Sequence, residues 1–379
     1  MLSLHWLLFV YIIYAISYVL IFIIFRHYWK NTSPIKAPDG YTPLVSILIP
    51  VRNEENKLAA LFASLQQLQY PHLQIIFTND FSEDESVVLL EAAVAEAVNR
   101  GADWKLLHST KTGKKAAQTT SVLAATGEII VSTDADCQFH PDWINQLVAP
   151  FADPKILLVA GPVMTLPVKS QIFSGFQHIE WSSILLVTKL AFGLGTPFMC
   201  SGANMAYRRA TFLDLKGYDG NSHLLSGDDE FLLKKILRRY GPTATTYLNQ
   251  SEVLVKTAAQ ESWSDLFAQR ARWASKWTAH KNIGHIIIAV VPFIMQLLFI
   301  VSPVLLFMGG AGCLLFLLFW SVKIAIETKV VGSLLNGFGQ KPPFWTFVTT
   351  SFIHPVYALI TAVRMVTSDW EWKGRKQLF

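Results

Sequence analysis

Asp134 and Asp136 stand one residue apart where an apolar run, Glu128-Ile129-Ile130-Val131-Ser132-Thr133, stops. The run reads as a buried strand, which puts both acids where the chain leaves a sheet. In an open α/β sheet, ligands bind at the carboxyl ends of the strands. Alternate residues of an extended chain point the same way, so the two carboxylates can face one divalent cation or one ligand. A solvated pair of loop acids is the plainer reading of so short a motif taken alone.

Other clusters carry residue types suited to chemistry. Asp80 closes the run Leu73 to Phe77 at Thr78-Asn79-Asp80 and comes after Arg52-Asn53-Glu54. Its carboxylate suits a nucleobase imide and a ribose, or equally an Asx turn or a cap for the next helix. Lys114, in Thr112-Gly113-Lys114-Lys115, can reach a phosphate or simply be solvated at a helix start; the fuller spacing of a phosphate-binding P-loop is missing. Asp228-Asp229-Glu230 opens a helix, where the dipole favours acids. Capping needs only one of them, and successive carboxylates repel, which raises the proton affinity of at least one and suits it to general-base work. Gln269, Arg272 and Trp273 share one face within one helical turn. A guanidinium fits a diphosphate and an indole fits a sugar or apolar chain; the alternative is a basic helix under anionic headgroups, with Trp273 and Trp277 as anchors. Together the clusters match sugar transfer from a nucleoside diphosphate. That reaction needs a nucleobase site, a divalent ion for the departing diphosphate, a base for the acceptor hydroxyl and donors for the phosphates.

The elements that must position these residues alternate. Val45 to Ile49 is a strand ended by Pro50, and Glu55 to Leu68 an amphipathic helix; Leu73 to Phe77 is a second strand and Ser82 to Val98 a helix. Trp104 to Leu107, Lys115 to Ala125 and Glu128 to Thr133 then read as strand, helix and strand. This predicts a parallel sheet with covered faces, its acidic strand ends meeting at one edge. Beyond Pro141 come a helix over Trp143 to Phe151, a strand over Ile156 to Val163, and an aromatic helix over Gln171 to Leu190 that suits either the core or a membrane interface. A small-residue loop, Phe198 to Asn204, precedes helices over Phe231 to Tyr240 and Ser264 to His280.

With 52% hydrophobic and 16% charged residues over 379 positions, and mean hydropathy +0.35, part of the chain belongs in a bilayer. Leu4 to Phe25 has no charge and is followed by Arg26, Lys30 and Lys36, which predicts an uncleaved anchor over 1–30 with its basic side in the cytosol. A Pro/Gly linker over 31–43 leads to a catalytic region over 44–280, membrane segments over 281–367 and a basic tail over 368–379. The three C-terminal segments are Ile283 to Met308, Ala311 to Ala325 or beyond, and Phe347 to Val366. Lys323 and Glu327 lie near one end of the second. Lys373, Arg375 and Lys376 favour the cytosolic side, so the last segment, with Thr349, Thr350, Ser351, His354 and Pro355, is expected to be re-entrant or interfacial. The net charge of +5 is scattered, which fits anionic lipid or phosphate and no nucleic-acid groove. Cys137, Cys200 and Cys313 are far apart, which argues against a disulfide scaffold or a zinc site and suits a reducing compartment.

Between about Val45 and Trp277 the chain resembles the membrane-anchored family 2 glycosyltransferases of GT-A fold. The resemblance is carried by Ile49-Pro50-Val51-Arg52-Asn53-Glu54-Glu55, by Asn79-Asp80 with Asn79 in place of the more usual Asp, by Asp134-Ala135-Asp136, and by Gln269-Arg270-Ala271-Arg272-Trp273. It implies an α/β Rossmann-like GT-A domain flanked by transmembrane helices. It also implies a UDP-sugar donor, with Pro50, Arg52 and Glu54 in the nucleotide loop, Asp80 at the uridine base, Asp134 near ribose or metal, and Mg²⁺ or Mn²⁺ on Asp136, beside which Lys114 remains the candidate for the phosphates. Asp229 would be the general base, with Asp228 beside it where relatives often have Glu. Arg272 would hold the diphosphate, with Gln269 and Trp273 at the acceptor, and transfer would invert an α-linked donor to a β-linkage. The tail Trp370-Glu371-Trp372-Lys373-Gly374-Arg375 is similar to the lipid-modifying branch that includes ceramide glucosyltransferases. The expected acceptor is therefore a lipid, and the expected place an integral position in a bacterial inner membrane or its equivalent with the catalytic domain cytosolic. A processive β-polysaccharide synthase with a partner, and a non-catalytic scaffold, are the alternatives; no protein partner is specified.

Overall fold

The structure is a computed structural model that describes residues 2–30, 35–221, 227–275, 293–367, 370–372 and 375–377. Pro34, Leu225, Ser226, Trp277, Lys373 and the start of the segment expected from Ile283 lie outside the described residues. Helix α1 is Leu2–Lys30. Strands and helices then alternate as β1 (Val45–Val51), α2 (Glu55–Gln66), β2 (Leu73–Asn79), α3 (Ser86–Asn99), β3 (Asp103–His108), α4 (Lys114–Ala124) and β4 (Ile129–Ser132). Next come β5 (Cys137–Gln138), α5 (Trp143–Val148), β6 (Leu158–Ala160), β7 (Val163–Thr165), α6 (Gln171–Gly193), β8 (Met205–Arg208) and α7 (Arg209–Asp214). The chain continues through α8 (Asp228–Tyr240), β9 (Thr245–Tyr247), β10 (Val255–Thr257), α9 (Trp263–Ser275) and α10 (Phe293–Phe307). It closes with α11 (Gly309–Gly337), α12 (Phe344–Thr367), β11 (Trp370–Trp372) and β12 (Arg375–Gln377).

Two compact units divide the chain. One comprises Thr32–Leu166, Thr188–Ala258 and Glu371–Phe379. Its main sheet has the order β3-β2-β1-β4-β8-β6-β9. Central strand β1 is apolar on both faces, with Val45, Ile47, Leu48, Ile49 and Val51 fully buried, because helices cover both sides. The expected parallel pairing holds for β3, β2, β1 and β4. The sheet as a whole is mixed, since β8 runs antiparallel to β4 and β6 antiparallel to β8. The reversal starts β8 at the edge where β4 ends, which brings the loop before Met205 to the acids.

The single strand expected over Ile156 to Val163 is two strands. A Cβ on Gly161 would collide with the amide of Asn204 and with Val253, and Pro162 has no N–H to donate. The chain therefore breaks there, so that β6 stays in the main sheet and β7 joins a second one of order β5-β10-β7. Helix α3 begins at Ser86 rather than Ser82 because Asn79 to Asp84 fold into turns: Asn79 Oδ1 accepts the Ser82 amide at 2.9 Å and Asp84 Oδ1 accepts the Ser86 amide at 3.1 Å.

The other unit comprises Met1–Asn31, Pro167–Val187 and Ala259–Trp370. Three of its helical stretches, Trp6–Lys30, Gly309–Gly337 and Phe344–Thr367, are long and apolar enough to cross a membrane. Tyr11, Tyr14, Tyr18 and Phe22 form a buried stripe at helical spacing on α1, while Phe9, Ile12, Ile16, Leu20 and Ile23 face outward. Each tyrosine hydroxyl finds an acceptor: Tyr11 the Leu298 carbonyl at 3.1 Å, Tyr14 the Met295 carbonyl at 3.0 Å, and Tyr18 the Glu327 carboxylate. Pro303 cannot donate to the Phe299 carbonyl, and the Ser302 hydroxyl donates to it instead at 2.7 Å.

Lys323 and Glu327 lie in the middle of α11, not near an end as expected, because the helix continues to Gly337. Lys323 Nζ is 2.6 Å from Glu327 Oε1, and the Ser351 hydroxyl donates to Oε2 at 2.7 Å, so the acid joins α1, α11 and α12. Helix α12 runs without a break through Pro355, so its backbone is not re-entrant. Three of its polar residues, Thr346, Thr350 and Ser351, are buried, and a Cβ on Gly175 of α6 would overlap the Thr346 side chain. The aromatic helix packs inward, with Phe173, Phe176, Ile179, Trp181 and Leu185 buried.

Candidate active site

Strands β1, β2 and β4 end side by side, and the loops that leave them are tied together. The Asp80 amide donates to the Val51 carbonyl at 2.8 Å. Arg52 Nη1 donates to the carbonyls of Asp80 at 3.0 Å and Phe81 at 2.9 Å, so the guanidinium braces the second loop. Asn53 and Phe81 hold left-handed backbone, φ 50° and 56°, a strain that cross-linked loops sustain at functional edges. Asn53 is fixed by its amide donating to the Ser82 hydroxyl and by its Oδ1 accepting the Glu83 amide. Pro50 lies opposite Thr78 in the β1–β2 pairing, and Glu54 takes Lys57 Nζ at 3.0 Å.

Asp80 is buried and its Oδ1 accepts the Gly113 amide at 2.8 Å. Gly113 stands at φ 110°, which only glycine adopts freely, and it begins α4. The bond therefore sets where Lys114, the first residue of that helix, starts. Lys114 Nζ lies 2.7 Å from Asp134 Oδ1 and 3.4 Å from Asp228 Oδ2. Burial works against its charge, but Asp134 and Asp228 outweigh burial and hold the ammonium above the ordinary lysine range. Asp136 has Lys57 Nζ at 4.0 Å; burial, then Asp134, push its carboxyl above the usual range despite Lys57.

The three acids that open α8 have separate environments. Asp228 is buried, and its Oδ2 accepts Gln118 Nε2 at 3.0 Å. Asp229 Oδ2 accepts the Gly202 amide at 3.0 Å and its Oδ1 the Glu230 amide at 2.7 Å, while Glu230 pairs with Lys234 one turn on. The Gly202 loop is itself anchored, since Thr133 Oγ1 donates to the Ala203 carbonyl at 2.9 Å and buried Asn204 reaches Trp143, Pro162 and Val253.

Among the described residues no group of three or more His, Cys, Asp or Glu could hold a metal by itself. Asp134 and Asp136, with side chains 37% and 22% exposed, offer two hard oxygen donors. That fits Mg²⁺ or Mn²⁺ completed by substrate phosphate and water, the usual way such ions sit on one or two carboxylates.

Residues 46–215 match the family model described as Glycosyl transferase family 2. That stretch, just under half of the chain, is the glycosyltransferase family 2 domain. Its fold is GT-A: the solved mannosyltransferase PcManGT from Pyrobaculum calidifontis, in complex with GDP-Man and Mn²⁺, superposes with a TM-score of 0.59 over 95% of this chain and 98% of that one, at 17% identity. A β-monoglucosyldiacylglycerol synthase of Trichormus variabilis is 28% identical over 254 residues, 66% of this chain and 51% of the relative. The glycosyltransferase EpsH of Bacillus subtilis, itself named putative, is 31% identical over 120 residues, 32% of this chain and 34% of the relative. The chain thus spans about half or less of the length of these curated relatives.

Pro50, Arg52, Glu54, Asp80, Lys114, Asp134 and Asp136 fall inside the matched family 2 domain, while Asp228 and Asp229 follow it in the same unit. Gln269, Arg272 and Trp273 lie on α9 in the other unit. There Arg270, to which the sequence reading assigned nothing, is buried and reaches Glu180 through Nε at 2.9 Å and Nη2 at 2.6 Å. Its guanidinium lies 4.6 Å from the Trp181 ring and 4.4 Å from the Trp273 ring, and its Nη1 donates to Gln269 Oε1. Gln118 was also missed: Nε2 donates to Ser132 and Asp228, and Oε1 accepts the Tyr218 hydroxyl at 2.6 Å. Its one available signal was its place four residues after Lys114 on the same helix face.

Proposed function

We propose that this chain is an inverting glycosyltransferase that moves a sugar from a nucleoside diphosphate sugar, with uridine the expected nucleotide, to a lipid hydroxyl at a membrane surface. The observation that carries it is the contact cluster of Lys114, Asp134, Asp228 and Asp229 beside the strand ends of a GT-A domain, in a chain with three helices of membrane-crossing length. The name of the β-monoglucosyldiacylglycerol synthase supports a lipid acceptor, and the Mn²⁺ in the mannosyltransferase complex supports a divalent ion.

In this reading Asp80, with Arg52 bracing its loop and with Pro50 and Glu54 beside it, receives the base and ribose. Lys114 turns to the diphosphate, and Asp134 and Asp136 are the donors for Mg²⁺ or Mn²⁺, which would offset charge on the leaving diphosphate. Asp229 takes the proton of the acceptor hydroxyl while that oxygen bonds to the anomeric carbon and the carbon–phosphate-oxygen bond breaks, its electron pair leaving on the diphosphate. Asp228 keeps Asp229 company from the buried side, Arg272 serves the diphosphate, and Gln269 and Trp273 serve the acceptor. Residues 1–30 are the anchor, 31–43 the linker, 44–280 the cytosolic catalytic domain, 281–367 the membrane segments and 368–379 the tail.

The test is turnover of the purified chain with a panel of UDP- and GDP-sugars, Mn²⁺ and a total lipid extract. One sugar per lipid supports the proposal. A size ladder moves the reading to a processive synthase, and absence of transfer from every donor by folded protein refutes it.

A further inference from the structure

Lys114 occupies an unfavourable place for a cation. It is the first residue of α4, where the helix dipole disfavours positive charge, and it is largely withdrawn from water. What compensates is the gap between Asp134 and Asp228, which its ammonium spans at 2.7 and 3.4 Å. The gap is built closely. Gln118 holds Asp228 from below at 3.0 Å, and a Cβ on Gly202 would lie 2.8 Å from Asp228 Oδ2 and 3.5 Å from Lys114 Nζ, so the loop backbone walls the ammonium in. The same Asp134 belongs to the pair that offers donors to a divalent ion. A divalent ion drawing on Asp134 would share that carboxylate with the ammonium, and like charges competing for one carboxylate repel.

We propose that Lys114 is an internal counter-cation that makes divalent-metal binding depend on the nucleotide. With the site open, the ammonium neutralises Asp134 and Asp228 and keeps a metal from settling on the acids. An arriving diphosphate gives the flexible lysine stem a new partner, and as the ammonium swings to phosphate the acids become available. Metal and nucleotide then bind as one unit. This inference rests on the transferase reading above and adds its order of assembly.

The experiment is a Mn²⁺ titration of the full chain in detergent, followed by the electron paramagnetic resonance of free Mn²⁺, with and without UDP or GDP. Wild type is expected to bind Mn²⁺ weakly alone and at least about tenfold more tightly with nucleotide. Lys114→Met is expected to bind Mn²⁺ alone at least about tenfold more tightly than wild type, with little further gain from nucleotide and weaker nucleotide binding. The charge-balanced double variant Lys114→Met/Asp228→Asn removes the lysine together with one of its acids, and is expected to show the same gain if the single variant does not fold. Mn²⁺ binding by these variants no tighter than wild type, while wild type keeps its nucleotide effect, overturns the counter-cation role and leaves the transferase reading standing. A wild type that binds neither nucleotide overturns both.

Discussion

The buried pair of Glu180 and Arg270 gives the most direct test of how α9 is held. Glu180→Gln keeps the side-chain shape and one acceptor but removes the charge facing a guanidinium that is only 5% exposed. Burial alone works against that guanidinium, and Glu180 more than offsets it in the native chain. Removing one partner of a buried ion pair typically costs about 3–5 kcal/mol. Gln269 Oε1 and the indoles of Trp181 and Trp273 remain on Arg270, so the low end, about 3 kcal/mol, is expected. At ~1.4 kcal/mol per decade, the amides of Trp263–Ser275 should exchange hydrogen about 100-fold faster than in wild type. The double change Glu180→Met/Arg270→Met removes both charges and should restore most of the protection, since apolar replacements of buried pairs are often neutral. Exchange within about threefold of wild type in Glu180→Gln would refute the idea that this pair secures α9.

Asp229→Asn should abolish transfer and leave nucleotide binding nearly intact by calorimetry; near-normal turnover would remove Asp229 as the base. Gly202→Ala places a methyl group 2.8 Å from Asp228 Oδ2, the movable end of a side chain, so melting should shift by no more than a few degrees while transfer falls at least about tenfold. Normal activity in that variant would contradict the close packing of the Gly202 loop on the acids. Lys189 is buried, donates to the Tyr247 carbonyl at 2.8 Å, and burial lowers its pKa to about 8 from 10.5. The unfolded chain therefore holds this proton more tightly than the native one, and the group's contribution to stability is least below pH 8 and rises as pH climbs toward 10.5. Lys189→Met should be the more stable form at pH 7, by up to about 3 kcal/mol, with the advantage shrinking through that window. A difference in melting temperature that does not change between pH 7 and 10 would exclude this linkage.

Much of the scaffold was legible in the chain because its signals are local. Apolar runs of strand length that stop at acids place Asp80 and Asp134 at strand ends, and alternation with helices demands parallel pairing for β1 to β4. Long apolar stretches mark membrane-crossing length without reference to any partner. The runs that carry the family resemblance are local signals of the same kind, since each is a short stretch of residues whose spacing needs no tertiary information.

Tertiary structure alone decided what each of these residues touches. Periodicity says which face of an element is buried but not against what. Arg270 therefore showed no sign of Glu180, ninety positions away, nor Lys114 of its place between Asp134 and Asp228. The reversal of β8 and the split at Gly161-Pro162 depend on contacts with Asn204 and Val253 that no local pattern encodes. The sequence by itself determined the elements and the acids at their ends, because backbone preference and burial are properties of neighbouring residues. The assignment of each charge to its counter-charge came only with folding, because a low-polarity interior admits a charged group only where distant segments bring its partner within hydrogen-bond reach.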